Sequence, residues 1–130
     1  LNPENDRWWV GLALVHRQMG DHELAWANGL RALDINKGNR SAARLIVEWA
    51  VLDQKYGDAI KTLQDYLEVD GEDAEMSFTL AKLLTQVGRL NEARVEIERV
   101  LALDPGMEGA EALRIALDKE LEKRSSWLKS

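Results

Sequence analysis

The hydrophobic positions of this chain recur with a period of 34 residues. Small residues and large apolar residues each keep this spacing: Ala25, Ala59 and Ala93; Leu33, Leu67 and Leu101; Leu12, Ile46 and Leu80. An apolar residue followed by Asn or Asp also returns four times, at residues 1, 35, 69 and 103. A unit of this length cannot bury its own apolar face and stacks on a neighbouring copy. The pattern therefore predicts an array of helical hairpins.

Within each period the apolar residues have helical spacing, as Trp9, Leu12, Ala13 and His16 show. Glycine and proline punctuate the pattern and separate successive helices. The predicted helices cover residues 6–19, 21–36, 40–53, 56–69, 73–87, 90–103 and 107–128, with Asn5 or Asp6 capping the first. Because the breaks interrupt every heptad series, a coiled coil is excluded. The prediction is an all-α fold.

The composition of the chain limits its possible functions more than it limits its possible folds. The 130 residues suffice for one domain with a sizeable core, and the chain contains no cysteine. A formal charge of −6 disfavours nucleic acid as a partner, because Lys and Arg supply nonspecific affinity for phosphates. No stretch approaches the roughly 20 apolar residues of a membrane-spanning helix. We therefore expect a soluble segment whose partners are proteins.

The repeated positions resemble the tetratricopeptide repeat family over residues 1–107. The matches in the third unit are Leu80, Ala81, Leu84, Gly88, Ala93, Ile97, Val100 and Pro105. In the first they are Trp9, Leu12, Ala13, His16, Gly20, Ala25 and Ala32, and in the second Ile46, Tyr56, Ala59, Leu63 and Leu67. The resemblance implies a right-handed α-solenoid of antiparallel helical hairpins, about three repeats followed by a capping helix.

The expected boundaries follow this register. We assign residues 6–39, 40–73 and 74–107 to repeats 1, 2 and 3, and residues 108–130 to a C-terminal capping helix, all in one domain. The outer face of that helix carries Lys119, Glu120, Glu122, Lys123 and Arg124. Residues 1–5 are expected to be the tail of a truncated preceding repeat, because Leu1-Asn2-Pro3 matches Leu103-Asp104-Pro105.

Several positions depart from the family pattern, among them Lys37 and Gly71, which replace the closing Pro of the repeat. Gly29 stands where the family has a large residue, and Ala43 and Ser77 stand where it favours Trp. We expect Trp26 to fill the volume that Gly29 vacates. Trp9 and Trp26 are predicted on packing faces, and Trp49 is predicted between repeats 1 and 2. Trp127 either staples the cap or is exposed.

Candidate chemistry is sparse. The only histidines, His16 and His22, lack the i, i+4 spacing of a helical metal pair, and His16 is expected in the core. No glycine-rich phosphate loop or nucleophile elbow is present. The numerous carboxylates read as a solvated surface. The prediction is a chain that is not an enzyme and uses no metal or cofactor.

The resemblance implies a concave groove, lined by the first helix of each repeat, that binds a protein or peptide. The residues on that side are Arg7, Val10, Leu14, Arg17, Gln18, Arg44, Glu48, Val51, Glu75, Phe78, Lys82 and Gln86. One branch of the family clamps a C-terminal carboxylate with Lys, Asn and Arg side chains. The matching positions here are Val10, Leu14, Leu45, Glu75 and Thr79, and none fits.

The leading hypothesis is a noncatalytic scaffold that holds a peptide or helix of a partner in the groove. Two alternatives stay open: a unit that self-assembles through open repeat ends, and a targeting or regulatory domain of a larger enzyme. Trp8, Val15 and Met19 form an apolar face on the first helix with no preceding repeat to cover it. We expect this face to be exposed or covered by another copy of the chain, giving a possible homo-oligomer.

Overall fold

A computed structural model describes residues 4–129, which fold into seven α-helices with no strand among them. The helices are α1 (Asp6–Gln18), α2 (His22–Ile35), α3 (Arg40–Leu52), α4 (Tyr56–Val69), α5 (Ala74–Gln86), α6 (Leu90–Leu103) and α7 (Ala110–Lys129). All seven predicted helices are present, and α4 and α6 have the predicted bounds. The all-α class of helical hairpins is confirmed. The expected N-terminal tail lies partly outside the described residues.

The last helix begins three residues later than predicted. Residues between Asp104 and Ala110 form turns, with the Met107 amide donating to the Asp104 carbonyl at 3.1 Å. Gly109 then takes a left-handed conformation, φ +86°, which glycine adopts without a steric cost. The apolar pattern at residue 107 therefore belongs to this turn and not to α7.

One turn geometry closes the first helix of each repeat. After α1, the Gly20 amide donates to the Arg17 carbonyl and the Asp21 amide to the His16 carbonyl. This Schellman arrangement needs a left-handed residue, and Gly20 has φ +82°. Gly88 repeats the arrangement after α5, whereas Gln54, with φ 58°, occupies the same position after α3.

Side-chain caps begin the first helix of each repeat. Asn5 caps α1 by accepting from the Arg7 amide, which selects Asn5 over Asp6. Asn39 and Asp73 cap α3 and α5 in the same way. Each side chain accepts from one of the free amides of the first turn, so it both starts the helix and fixes its direction.

The chain divides into two compact units, one ending at Gly71 and the other beginning at Glu72. In the first unit, α1 packs on α2, α2 on α3, and α3 on α4. Its core cluster contains Ala13, Ala25, Ile46 and Trp49, with Trp26, Leu33 and Leu45 packed at the margin. Trp49 is buried between the helices of repeats 1 and 2, as predicted.

Gly29 corrects one prediction. A Cβ atom at this position would meet the Ile46 side chain at 2.8 Å and the Trp49 ring at 3.8 Å. Side chains from α3 therefore occupy the space that a larger residue would need. The expectation that Trp26 fills this volume is wrong, because Ile46 reaches Gly29 from the facing helix. Trp26 is instead half-buried at the edge of the cluster.

The second unit contains α5, α6 and α7, with α6 packed on both α5 and α7. Leu80, Leu84 and Ala93 are buried, and Leu117 is the large side chain that α7 buries. Arg114 forms ion pairs with Glu111 and Asp118 on its own helix. Asp118 also pairs with Arg94 of α6, so charged groups tie the two helices together.

The outer face of α7 is mainly exposed to solvent. Trp127 resolves an open choice: its side chain is 77% exposed, so it does not staple the cap into a core. No helix in residues 4–129 combines the length and the apolar character that crossing a membrane requires.

Candidate functional site

The predicted groove residues of the first unit all lie on the surfaces of α1 and α3. Those on α1 are Arg7, Val10, Leu14, Arg17 and Gln18, and those on α3 are Arg44, Glu48 and Val51; each is exposed or half-buried. Leu14 leaves 45% of its surface open to solvent and Val51 37%. Apolar side chains therefore alternate with charged ones on this surface.

A cation–π contact joins α1 to α3. The Arg17 guanidinium lies 5.1 Å from the centroid of the Trp49 ring. The ring is buried and its face attracts the cation, so Arg17 is held over α3 with its donors available. This contact places one basic side chain of the predicted surface at a defined position.

A polar cavity of about 450 Å³ lies where α1 begins, beside the turn that leads into α3. Arg7 and Val10 line it from α1, together with Asp6. Asp6 accepts hydrogen bonds from the side-chain amides of Asn39, at 2.7 Å, and Asn36, at 3.1 Å. These bonds favour the carboxylate and lower the pKa of Asp6. The wall of the cavity is therefore a fixed hydrogen-bonded network.

In the second unit, the surface of α5 carries Glu75, Phe78, Lys82 and Gln86, none of which is buried. The Lys82 ammonium lies 4.6 Å from the centroid of the Phe78 ring. A Cβ atom at Gly109 would be 3.5 Å from the ring, so Phe78 also rests against the turn before α7. Phe78 is thus a half-exposed aromatic side chain held from two sides.

His16 is a bonded histidine at the edge of the packing between α1 and α2. Asn28 is buried, and its Nδ2 donates to Nδ1 of His16 at 2.7 Å. This assignment requires the tautomer that carries its proton on Nε2. Among residues 4–129, no group of three or more potential ligand side chains could hold a metal ion.

Two polar residues, Ser77 of α5 and Glu96 of α6, are buried. Of the two, only Ser77 is a position where the sequence departs from the family pattern. Ser77 Oγ and Glu96 Oε2 have no hydrogen-bond partner within the described chain. Burial raises the pKa of Glu96, while Arg99 and the nearby Ser77 oppose the shift. An acidic residue on α6 gives no sequence signal of burial, because its depth depends on how α6 packs against α5.

The family follows from comparison with known proteins. A family model described as tetratricopeptide repeat matches residues 50–115, which is 66 of the 130 residues. The chain belongs to the tetratricopeptide repeat family. No match is found among curated proteins.

Solved structures show the same fold. The first tetratricopeptide repeat domain of Spaghetti (RPAP3), bound to an HSP90 peptide SRMEEVD, has a TM-score of 0.74 at 14% identity, over 94% of this chain and 97% of that one. The second such domain of human RPAP3, in complex with an HSP70 peptide SGPTIEEVD, gives 0.70 at 21% identity, over 87% and 98%. MamA AMB-1 has a TM-score of 0.74 at 19% identity. The match covers 91% of this chain but 64% of the MamA chain.

The carboxylate-clamp positions of this tetratricopeptide repeat chain carry no suitable donors. Val10 and Leu14 are apolar, and Leu45 packs against the core cluster of the first unit. Thr79 uses its hydroxyl to donate to the Glu75 carbonyl at 3.0 Å, and the Glu75 side chain is itself acidic. These positions therefore offer no cationic group to a terminal carboxylate.

The predicted end face of α1 is largely open. Val15 is 50% exposed and Met19 is 73% exposed. Trp8 is half-buried and packs edge-on against Trp9, with the ring centroids 4.7 Å apart. The side of repeat 1 that a preceding repeat would cover thus presents apolar groups to solvent.

Sequence reasoning missed a second surface, on the other side of repeat 1. Trp26, Leu30 and Leu33 of α2 line a cavity of about 280 Å³ together with residues of α4. The available signal was the i, i+4 pair of Trp26 and Leu30, both large and apolar. Assigning Trp26 to the core concealed the fact that its ring is only half-buried.

Proposed function

We propose that this chain is a noncatalytic protein-binding module, which holds a peptide or helix of a partner in the groove that the sequence predicts. The observation that carries the proposal is Phe78. Its ring is partly open to solvent yet held by Lys82 and by the turn at Gly109. A ring that loses little freedom on binding is a favourable anchor for a partner.

The first unit supports the same function with different residues. Leu14 and Val51 offer exposed apolar surface, while Arg17 is held over Trp49 with its guanidinium donors available. Arg7 and Arg44 add positive charge, and Glu48 adds negative charge. A segment with its own apolar side chains and mixed charges complements this surface.

The expected ligand differs from the peptides bound by the two RPAP3 domains. Both of those peptides end in Glu-Glu-Val-Asp. The absence of basic donors at Val10, Leu14 and Thr79 argues against recognition of such an acidic C-terminus. The proposed ligand is instead an internal segment, whose backbone and apolar side chains contact the module.

The test removes the aromatic anchor. Peptides that bind the wild-type chain are selected from a display library, and the affinity of the best binder is measured by calorimetry. Phe78→Ala should weaken binding by about 1–3 kcal/mol, the usual range for an anchor residue. Circular dichroism should show an unchanged helical content, because Phe78 is not part of the buried core.

Val95→Ala provides the control. Val95 is exposed on α6, so its truncation removes apolar surface away from the proposed site. The control should bind like the wild type. Equal affinities for wild type, Phe78→Ala and Val95→Ala would contradict the proposed site.

The exposed end face supports self-assembly as a second candidate function. Val15 and Met19 would bury apolar surface if another copy of the chain stacked on α1. Sedimentation across a range of concentrations tests this idea. The double variant Val15→Glu/Met19→Glu should remain monomeric where the wild type associates; a wild type that stays monomeric at every concentration would rule the candidate out.

A further inference from the structure

The cavity between α2 and α4 has an apolar floor and a charged rim. Trp26, Leu30 and Leu33 form the floor, and Leu30 is 39% exposed. The rim residues are Asp34, Lys37, Asp58, Lys61, Thr62 and Asp65. A volume of about 280 Å³ lies just below the roughly 300–1,000 Å³ of pockets for drug-sized ligands, so it suits one bulky side chain.

The rim of the cavity contains carboxylates that are not neutralised by an ion pair. Lys61 pairs with Asp65, one helical turn away on α4. The carboxylates of Asp34 and Asp58 have no hydrogen-bond or ion-pair partner among the described residues, and both residues are exposed. Among the residues that line the cavity, three carboxylates accompany two ammonium groups, and the whole chain carries a charge of −6. A cationic ligand is therefore favoured over an anionic one.

Repeat 3 shows that the fold does not require an apolar floor here. Trp26 and Leu30 lie two periods before Arg94 and Glu98. In repeat 3 these two residues form an ion pair that is partly open to solvent. The helical hairpin thus accepts a solvated pair at these positions, whereas repeat 1 keeps two large apolar side chains partly exposed.

The Trp26 ring is held in place from one side. The Lys55 ammonium lies 5.2 Å from the ring centroid, and the ring packs against the core cluster of the first unit. An apolar side chain entering the cavity would therefore meet a positioned aromatic surface and would not have to order it.

We propose that this cavity docks a basic, amphipathic segment of another protein, in addition to the ligand proposed for the groove. One bulky apolar side chain of the segment fills the space over Trp26, Leu30 and Leu33. Lys or Arg side chains on either side of it pair with Asp34 and Asp58. The surface is on the second helices of repeats 1 and 2, so the module binds two partner segments through different helices.

The test uses a fluorescein-labelled peptide of Ala and Ser with one central Leu and two Lys on each side. It is titrated into the ¹⁵N-labelled chain. The indole N–H of Trp26 and the amide of Leu30 should shift with saturation. A peptide with Ala in place of the Leu, and a peptide with Glu in place of each Lys, should each bind at least about tenfold more weakly.

Variants locate the binding site. Leu30→Glu should weaken binding of the Lys peptide about tenfold or more. The double variant Asp34→Lys/Asp58→Lys, which changes exposed residues only, should weaken it to a similar extent. The double variant Glu108→Lys/Glu122→Lys changes the net charge equally at exposed positions of the second unit and should bind like the wild type.

Four results would overturn the proposal. The first is equal binding of the Lys and Glu peptides, and the second is equal binding of the Leu and Ala peptides. The third is a loss of binding in Phe78→Ala but not in Leu30→Glu, which would place the peptide on α5. The fourth is a dimer of the chain that disappears in Leu30→Glu, because the occupant would then be a second copy. The first three outcomes leave the groove proposal open to its own test, since that test selects different peptides.

Discussion

Gly29 of α2 faces Ile46 of α3 so closely that a side chain at position 29 would force the Ile46 side chain to move. A Cβ atom on Gly29 would lie 2.8 Å from Cδ1 of Ile46 and 3.3 Å from its Cγ1. The missing side chain lets the second helix of repeat 1 approach the first helix of repeat 2. Ile46 thereby takes the volume that a large residue fills in other members of the family.

Restoring a large residue at position 29 should therefore destabilise the first unit. Gly29→Leu is expected to lower the free energy of unfolding by about 1–3 kcal/mol, because it overpacks the contact with Ile46. Combining it with Ile46→Ala should recover part of the loss, giving a favourable coupling of about 1 kcal/mol or more in a double-mutant cycle. Denaturant unfolding at equilibrium provides the free energies.

Gly11→Leu is the matched control for this prediction. A Cβ atom at Gly11 would meet nothing within 4 Å, and the residue is exposed on α1. The substitution should stabilise the chain by up to about 1 kcal/mol through helix propensity. If Gly29→Leu behaved like Gly11→Leu, the close approach of α2 and α3 would be disproved.

Gln54 is expected to make the chain less stable than a glycine at the same position would. It occupies the left-handed position after α3, with φ 58°, that Gly20 and Gly88 occupy after α1 and α5. Gln54→Gly should raise the free energy of unfolding by about 0.5–1 kcal/mol, since glycine adopts this conformation without a Cβ clash. The reverse change, Gly88→Gln, should lower it by a similar amount. Thermal and denaturant unfolding measure both. A Gln54→Gly variant less stable than the wild type, or a Gly88→Gln variant more stable than the wild type, would refute the assignment of this turn.

Glu96 should make the second unit less stable at neutral pH than an amide would. Burial raises the pKa of Glu96 above 4.5, so the protonated form favours the folded state. The wild type therefore gains stability from this group as the pH falls, and loses it as the pH rises through the pKa in the folded state. Glu96→Gln should be more stable at pH 7 by about 1 kcal/mol; this advantage should shrink as the pH falls through the raised pKa of Glu96 in the folded state, and it should be smallest below the ordinary value of 4.5.

The comparison of wild type and variant across pH isolates this carboxyl from the others. Glu122→Gln, at an exposed position on α7, is the control, and its stability should match that of the wild type. An advantage of Glu96→Gln that grew as the pH fell would contradict the stated origin of the shift.

Helices, helix caps and the small residues at the hairpin contacts are features that can be predicted from the amino-acid sequence. Asn5, Asn39 and Asp73 act through amides within one turn, and apolar spacing along a helix depends on neighbours three or four residues away. Ala25, Ala59 and Ala93 are fully buried because helices of one hairpin meet at these positions, and the 34-residue period identifies them. These are local or repeated features, which the order of residues encodes directly.

Tertiary packing alone decided which side chain fills each space. Ile46 occupies the space beside Gly29, Glu96 is buried against α5, and Trp26 is half-exposed at a cavity. All three observations depend on how neighbouring helices are rotated and spaced. A helical pattern gives the face on which a residue lies but not the depth to which its side chain reaches across to another helix. Depth follows from the volumes of both facing helices together, because the interior is close-packed.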